Sequence, residues 1–279
     1  MTTVVFGPSG NVGRHVLGGL LAAGEDVRAA AREPAKAGLP PGVPAARADL
    51  DRPDTLGPAL DGAERAFLYA HPDGIGGFVT AARQAGLRRV VLLSSAAINR
   101  VGPEGSPIAR RHRAVEVALE ESGLEWTFLR GGMFATNTLA WWRRSIREES
   151  VVRTAYPAAH TAPVHEADIA AVAVAALTHD GHAGRTYQLW GSESVTVREQ
   201  VAQIATAVDR PIELELISPD QARTELGRTM PPAAVEAVLG VWAAGTGRPA
   251  EISTVVAETT GSPARNFAQW AADHADDFR

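Results

Sequence analysis

The chain has no cysteine, which excludes disulfides, thiol nucleophiles and cysteine-ligated metals. It has a single lysine, Lys36, and three tyrosines, Tyr69, Tyr156 and Tyr187. The residues four positions beyond those tyrosines are Asp73, His160 and Gly191. A Tyr-x-x-x-Lys couple, in which the cation lowers the phenol pKa and the phenol moves a proton, is therefore absent at every register. No run of basic residues occurs, and the net charge is −5. This argues against a nucleic-acid surface, whose affinity comes mainly from phosphate neutralisation. No apolar run reaches the roughly 20 residues that a membrane span needs. An early first strand leaves no room for a signal peptide. These absences predict a cytoplasmic protein with neither nucleic acid nor membrane as partner. The 45% apolar and 21% charged fractions are those of an ordinary globular chain, and 279 residues suffice for a large core.

What is present begins at once. Thr2-Thr3-Val4-Val5-Phe6 is a short apolar run, followed by Gly7-Pro8-Ser9-Gly10-Asn11-Val12-Gly13 and a periodic stretch through Leu17, Leu20 and Leu21. The order predicts strand, glycine turn and helix. Glycines at three-residue intervals allow a tight turn, close approach to a pyrophosphate, and packing of helix on strand. The helix start then offers unpaired N–H groups and partial positive charge to the phosphates. The bland alternative is a glycine-rich turn without a ligand.

Further strands are predicted at Asp26–Ala31, Val43–Ala48, Ala66–Ala70, Arg89–Ser95 and Trp126–Arg130, with helices between them. Val90 to Leu93 is apolar without alternation, as in a parallel strand covered on both faces. The βαβ alternation predicts an α/β fold, a Rossmann-like doubly wound parallel sheet with right-handed crossovers and a smaller C-terminal substrate lobe. The expected division is 1–155 for the nucleotide-binding domain and 156–279 for the α+β lobe. A strand near 186–190 is expected to return to the sheet, a helix to run from Met133 to Ile146, and the ligand crevice to lie between domain and lobe.

Taken in order, several segments resemble the NmrA-like branch of the atypical short-chain dehydrogenases/reductases, over nearly the whole chain. They are the glycine motif, Arg32-Glu33-Pro34-Ala35-Lys36, Asp49-Leu50-Asp51, Val91-Leu92-Leu93-Ser94-Ser95, His112-Arg113-Ala114-Val115-Glu116, Ser122 to Thr127, Leu129 to Phe134, and Asp168-Ile169-Ala170. Pro8 departs from the small residue usual in the motif. The resemblance implies NAD(P)H binding, with quinone and azo-compound reductases and non-catalytic redox sensors among the branch's members.

Gly7, Ser9, Gly10, Asn11, Val12 and Gly13 are the candidate pyrophosphate residues. In an NAD-preferring site an acidic residue about 20 positions on binds the ribose 2′-hydroxyl. Here Arg32 stands nineteen past Gly13, and a guanidinium there suits a 2′-phosphate. Its alternative is a solvated loop arginine, and Glu33 and Lys36 beside it point opposite ways. The reading favours NADP(H) over NAD(H). Asp49 and Leu50 resemble the family's adenine-edge contacts, though Asp49 also suits a helix cap. Tyr69, Ala70 and His71 close the fourth strand and Ser94 and Ser95 the fifth. All five are candidates for the nucleotide, Ser95 also for substrate, with turn or cap roles as alternatives.

His112 and Glu116 are four apart on one helix and are expected to hydrogen-bond, which would make His112 a candidate proton carrier beside Ser95. A surface ion pair is the alternative. His165, Glu166 and Asp168 lack convincing ligand spacing, and no metal is expected. Met133, Phe134, Asn137, Trp141 and Tyr156 are the candidate substrate wall, apolar and aromatic as a flat conjugated acceptor needs. Trp141 and Trp142 suit a core or dimer contact equally.

The function read from the sequence is NADPH-dependent hydride transfer to a small conjugated acceptor (a quinone, azo compound or activated carbonyl/enone) without the Tyr/Lys couple. The alternative is an NADP(H)-sensing regulator without turnover. An isomerase or biosynthetic reductase is a third reading. Whether the chain forms a homodimer is left open.

Overall fold

The computed structural model describes residues 1–99 and 106–279. The chain runs β1 (Thr2–Phe6), α1 (Gly13–Ala22), β2 (Asp26–Ala31), β3 (Ala45–Arg47), α2 (Leu56–Leu60), β4 (Ala63–Tyr69), α3 (Ile75–Gln84), β5 (Arg89–Ser95), α4 (Pro107–Glu120) and β6 (Glu125–Gly131). It continues with α5 (Asn137–Glu149), β7 (Val151–Thr154), β8 (His160–Thr161), α6 (Glu166–Thr178), β9 (Arg185–Leu189), β10 (Val195–Thr196), α7 (Val197–Val208) and β11 (Glu213–Leu216). Helices α8 (Pro219–Leu226), α9 (Pro232–Gly245), α10 (Val255–Thr260), α11 (Phe267–Asp273) and α12 (Ala275–Phe278) follow.

Seven strands form one parallel sheet in the order β3-β2-β1-β4-β5-β6-β9. This is the doubly wound Rossmann-like α/β topology expected, including the returning strand β9. The order turns back between β1 and β4, the switch point at which such sheets bind ligands beyond the carboxyl ends of their strands. Val4, Phe6, Ala30, Ala66, Leu68, Val90, Leu92 and Phe128 pack on one face against α2, α3 and α4. Helix α4 starts where Ser106 accepts the Ala109 N–H and Pro107 takes the first helical position, both favoured there.

The chain forms two compact units, 1–132 with 166–189 and 255–262, and 133–165 with 190–254 and 263–279. This differs from the single boundary expected after residue 155. The cause is α6 and β9: a buried alanine-rich helix and a strand hydrogen-bonded to β6 belong to the sheet unit although they lie far down the chain. The second unit has its own core, in which Trp141 meets Trp242 edge-to-face at 5.1 Å and Trp142 stacks on Trp242 at 6.2 Å. The helix expected from Met133 begins instead at Asn137. Phe134 bridges Val164, since Val164 N–H donates to the Met133 carbonyl and Ala135 N–H to the Val164 carbonyl. No helix among the described residues is long and apolar enough to cross a membrane.

In the loop between α6 and β9, His182 Nδ1 lies within hydrogen-bond distance, 2.8 Å, of the hydroxyl of Tyr187 on β9. Burial holds the His182 imidazole below its ordinary pKa, helped by His179, Arg89 and Arg185. The folded state therefore favours neutral His182, and the unfolded chain binds the extra proton first. The stability this contributes is present above the ordinary histidine pKa of 6.5 and is lost as pH falls below it toward the depressed folded value. Replacement by His182→Gln is expected to flatten the fall in melting temperature between about pH 7 and about pH 5. Parallel melting curves for wild type and variant would contradict this.

Candidate nucleotide-binding site

Strand β1 delivers the chain into Gly7, whose φ of +66° lies where side chains are rarely tolerated. The Gly7 carbonyl accepts the Gly10 N–H at 3.0 Å, and the Gly10 carbonyl accepts the Arg14 N–H at 3.1 Å. A Cβ on Gly13 would lie 2.0 Å from the Gly7 oxygen, and one on Gly10 would lie 3.3 Å from it. The loop thus folds tightly onto its own backbone. Pro8 and Val12 are buried while Ser9, Gly10 and Asn11 face solvent, so the unusual proline serves the loop's inner side. No side chain caps α1. The Arg14 N–H is taken by Gly10 and the His15 N–H by the Val12 carbonyl at 3.0 Å, so the backbone that faces an anion at the positive end of the helix dipole is that of the loop into Gly13. The cradle fits a pyrophosphate in shape and charge.

Arg32 follows β2 directly and is exposed, with no hydrogen bond or ion pair to any described residue. Glu33, the neighbour of opposite implication, is taken up by Lys36 at 2.5 Å. Tyr69 ends β4 with its ring over Gly7, where an added Cβ would meet two ring carbons at 3.2 Å. Burial raises the Tyr69 phenol pKa. Arg32 opposes that shift, and Asp49 and Asp51 add to it. The four side chains therefore share one electrostatic neighbourhood. Asp49 accepts the Asp51 N–H at 3.2 Å, so its carboxylate shapes the turn after β3. Leu50 is a core residue whose carbonyl lies beneath Gly74, where a Cβ would stand 2.4 Å from it. Ala70 packs against the same core. His71 Nε2 meets Asp51 Oδ1 at 2.7 Å, a partner that the sequence reading did not assign.

At the carboxyl ends of β5 and β6 the arrangement differs from expectation. His112 and Glu116 do not bond to each other. Side chains one turn apart share a helix face but need not share a partner. His112 Nδ1 lies 2.8 Å from the Ile108 carbonyl. Glu116 turns into the sheet, where Ser94 donates to Oε1 at 2.7 Å and Arg130 donates to both oxygens at 2.9 and 2.7 Å. Ser94 is thus committed to Glu116, and Ser95 accepts the Ala97 N–H at 3.2 Å. Arg130 went unassigned, although the strand register places it beside Ser94.

In the second unit, Met133 and Tyr156 pack against the core that contains Trp141 and Trp142. Trp141 is buried there, in contact with Trp142 and Trp242. Phe134 pairs with Val164, and Asn137 N–H donates to the Phe134 carbonyl at 3.0 Å. Among the described residues no group of His, Asp and Glu stands close enough to hold a metal.

Residues 7–180 match the NAD(P)H-binding family. The chain is 41% identical to a (4-alkanoyl-5-oxo-2,5-dihydrofuran-3-yl)methyl phosphate reductase of Streptomyces griseus, over 99% of this chain and 98% of that protein. It is 32% identical to an NAD(P)H azoreductase of Xenophilus azovorans, over 99% and 98%. Among solved structures, the NADPH complex of the Escherichia coli quinone oxidoreductase QOR2 superposes with a TM-score of 0.80 at 23% identity, covering 97% of this chain and 99% of that one. A glycine cradle at the switch point of a parallel sheet, a match across most of that sheet unit and full-length relatives agree: the chain belongs to the NAD(P)H-binding family.

Proposed function

We propose that the protein is an NADPH-preferring reductase that delivers hydride to a conjugated, electron-poor small molecule. Arg32 carries the preference: an exposed guanidinium directly after β2, with no hydrogen bond or ion pair to any described residue, beside a glutamate paired with Lys36. A planar fork of donors there matches a 2′-phosphate. The cradle from Gly7 to Gly13 holds the pyrophosphate, and Tyr69 shields it on the β4 side.

Bound NADPH supplies the hydride, and the π-electron pair of the acceptor moves onto its carbonyl, quinone or azo group. The acceptor class favoured is an alkene conjugated to two carbonyls. The relative at 41% identity is named for such a substrate, a dihydrofuran ring with neighbouring alkanoyl and oxo groups. Hydride addition to that alkene leaves a stabilised enolate, which is far less basic than the alkoxide of a simple ketone. It needs no tyrosine–lysine acid, in keeping with the missing couple. His112 is the candidate proton donor. The Ile108 carbonyl can only accept, so Nδ1 carries the hydrogen in that contact.

Screening NADPH oxidation against acylated unsaturated lactones, quinones and azo dyes tests the activity. NADPH binding with no consumption by any of them would select the nucleotide-sensing reading instead. Arg32→Ala is expected to lower the NADPH-over-NADH preference about 10- to 100-fold, the worth of one or two charge-assisted hydrogen bonds. The ratio of dissociation constants measures it without an acceptor, and an unchanged ratio would reject the phosphate contact.

A further inference from the structure

The carboxyl ends of β5 and β6 hold a buried charge that nothing in nucleotide binding requires. Glu116 is 0% exposed. Each of its oxygens has two donors: Ser94 and Arg130 Nε on Oε1, and Arg130 Nη2 and Arg113 Nη1 on Oε2. Arg113 is shared, since it also forks onto Glu120 at 2.7 and 2.8 Å. Burying such a pair costs desolvation, and apolar residues of similar volume often stabilise a core as well or better. The pair therefore calls for a reason other than stability.

The remaining edge of the guanidinium supplies one. Arg130 Nη1 donates to Asn99 Oδ1 at 2.9 Å. Asn99 closes the 3-10 turn Ala96–Asn99 by which the chain leaves β5. At the other end of that turn Ser95 Oγ accepts the Ala97 N–H. The turn is thus held once from its own strand and once from the core.

We infer that Glu116 and Arg130 are positioning residues: the buried carboxylate orients the guanidinium, the guanidinium holds the Ala96–Asn99 turn, and the turn sets Ser95 for the acceptor. What is positioned rests on the reductase reading, whereas the network does not. Lysine at 130 lacks the fork that spans Glu116 and Asn99 together. Misplacement of reacting groups by about 1 Å is enough to cost large factors in rate.

The test uses Asn99→Leu, Asn99→Asp and Arg130→Lys in the full chain. Asn99 is exposed, so its variants are expected to fold normally. Asn99→Leu and Arg130→Lys are expected to lower kcat by about 10-fold or more with NADPH affinity within about two-fold of wild type. Asn99→Asp keeps an oxygen facing the guanidinium and is expected to retain kcat. Amide exchange of residues 95–99 in the NADPH-bound protein is expected to rise in Asn99→Leu and not in Asn99→Asp. Wild-type kcat together with wild-type exchange in Asn99→Leu would overturn the proposal, as would equal loss in the Leu and Asp variants. If the wild type reduces no acceptor, exchange alone decides. A rise then keeps the positioning pair and sinks the reductase reading, while no rise sinks the pair.

Discussion

Gly13→Ala is expected to weaken NADPH binding at least about 100-fold, roughly 3 kcal/mol. The new Cβ would stand 2.0 Å from the Gly7 oxygen and 2.9 Å from the Gly7 carbonyl carbon. Both obstacles are backbone, and no side-chain rotation relieves them. The loop must open, and the N–H groups at the start of α1 move with it. Hydrogen bonds to a pyrophosphate depend on that geometry, so the whole cradle loses affinity together. Gly10→Ala is the internal comparison. Its Cβ would lie 3.3 Å from the same oxygen, a contact relieved by a shift of a few tenths of an ångström. It is expected to cost about 10-fold or less, near 1.4 kcal/mol. Calorimetric titration of both variants checks the pair, and a Gly13→Ala protein binding NADPH as well as Gly10→Ala would contradict the steric account.

Arg89→Ala is expected to lower stability by about 3 kcal/mol, the upper end for leaving buried backbone carbonyls without their donor. This side chain stands at the amino end of β5, away from the cradle, and is 4% exposed. It donates to the carbonyls of His179 at 2.7 Å, Leu177 at 3.2 Å and Ala176 at 3.4 Å, and to Asp180 at 2.7 Å and Glu125 at 3.2 Å. The first three are at and just past the end of α6, where helix carbonyls lack partners and the dipole is negative. Arg65 assists on the Leu177 carbonyl at 3.0 Å, so the end of α6 is not left wholly bare. The melting temperature is expected to fall by about 6–10 °C. Arg89→Lys should recover less than half of the loss, because one ammonium cannot span carbonyls and carboxylates as the fork does. NADPH affinity of the folded variant should be unchanged. A melting temperature within about 2 °C of wild type would show that water or Arg65 caps α6 unaided.

Legibility in the sequence followed distance along the chain. The cradle was readable because strand, glycines and helix are consecutive, and each glycine answers a local steric demand. β5 was readable because burial on both faces erases alternation. The choice between Glu33 and Lys36 was not readable, since it rests on a side-chain contact that pairs the two with each other. The Glu116–Arg130 clamp was missed for a related reason. Helical spacing favoured His112 as partner, whereas Glu116 turns toward the sheet and meets an arginine from β6 and a serine from β5. The return of β9 was expected, but that of α6 was hidden, because an alanine-rich helix buried on most of its surface has no polar stripe to say which core it joins. For Trp141 the sequence left pocket wall and core contact open, because aromatic residues serve both, and the side chain packs in the core of the second unit.

The central claim is that a reduced nicotinamide nucleotide bound at the Gly7–Gly13 cradle gives its hydride to a conjugated acceptor. Its most direct test is mass analysis of the product formed by the wild-type protein from an acylated unsaturated lactone and NADPH carrying deuterium at the transferable position. The account predicts one deuterium on the carbon β to the carbonyls and one solvent proton on the carbon between them. An unlabelled reduced product, or full NADPH binding with the lactone, quinones and azo dyes all recovered unchanged, would contradict it.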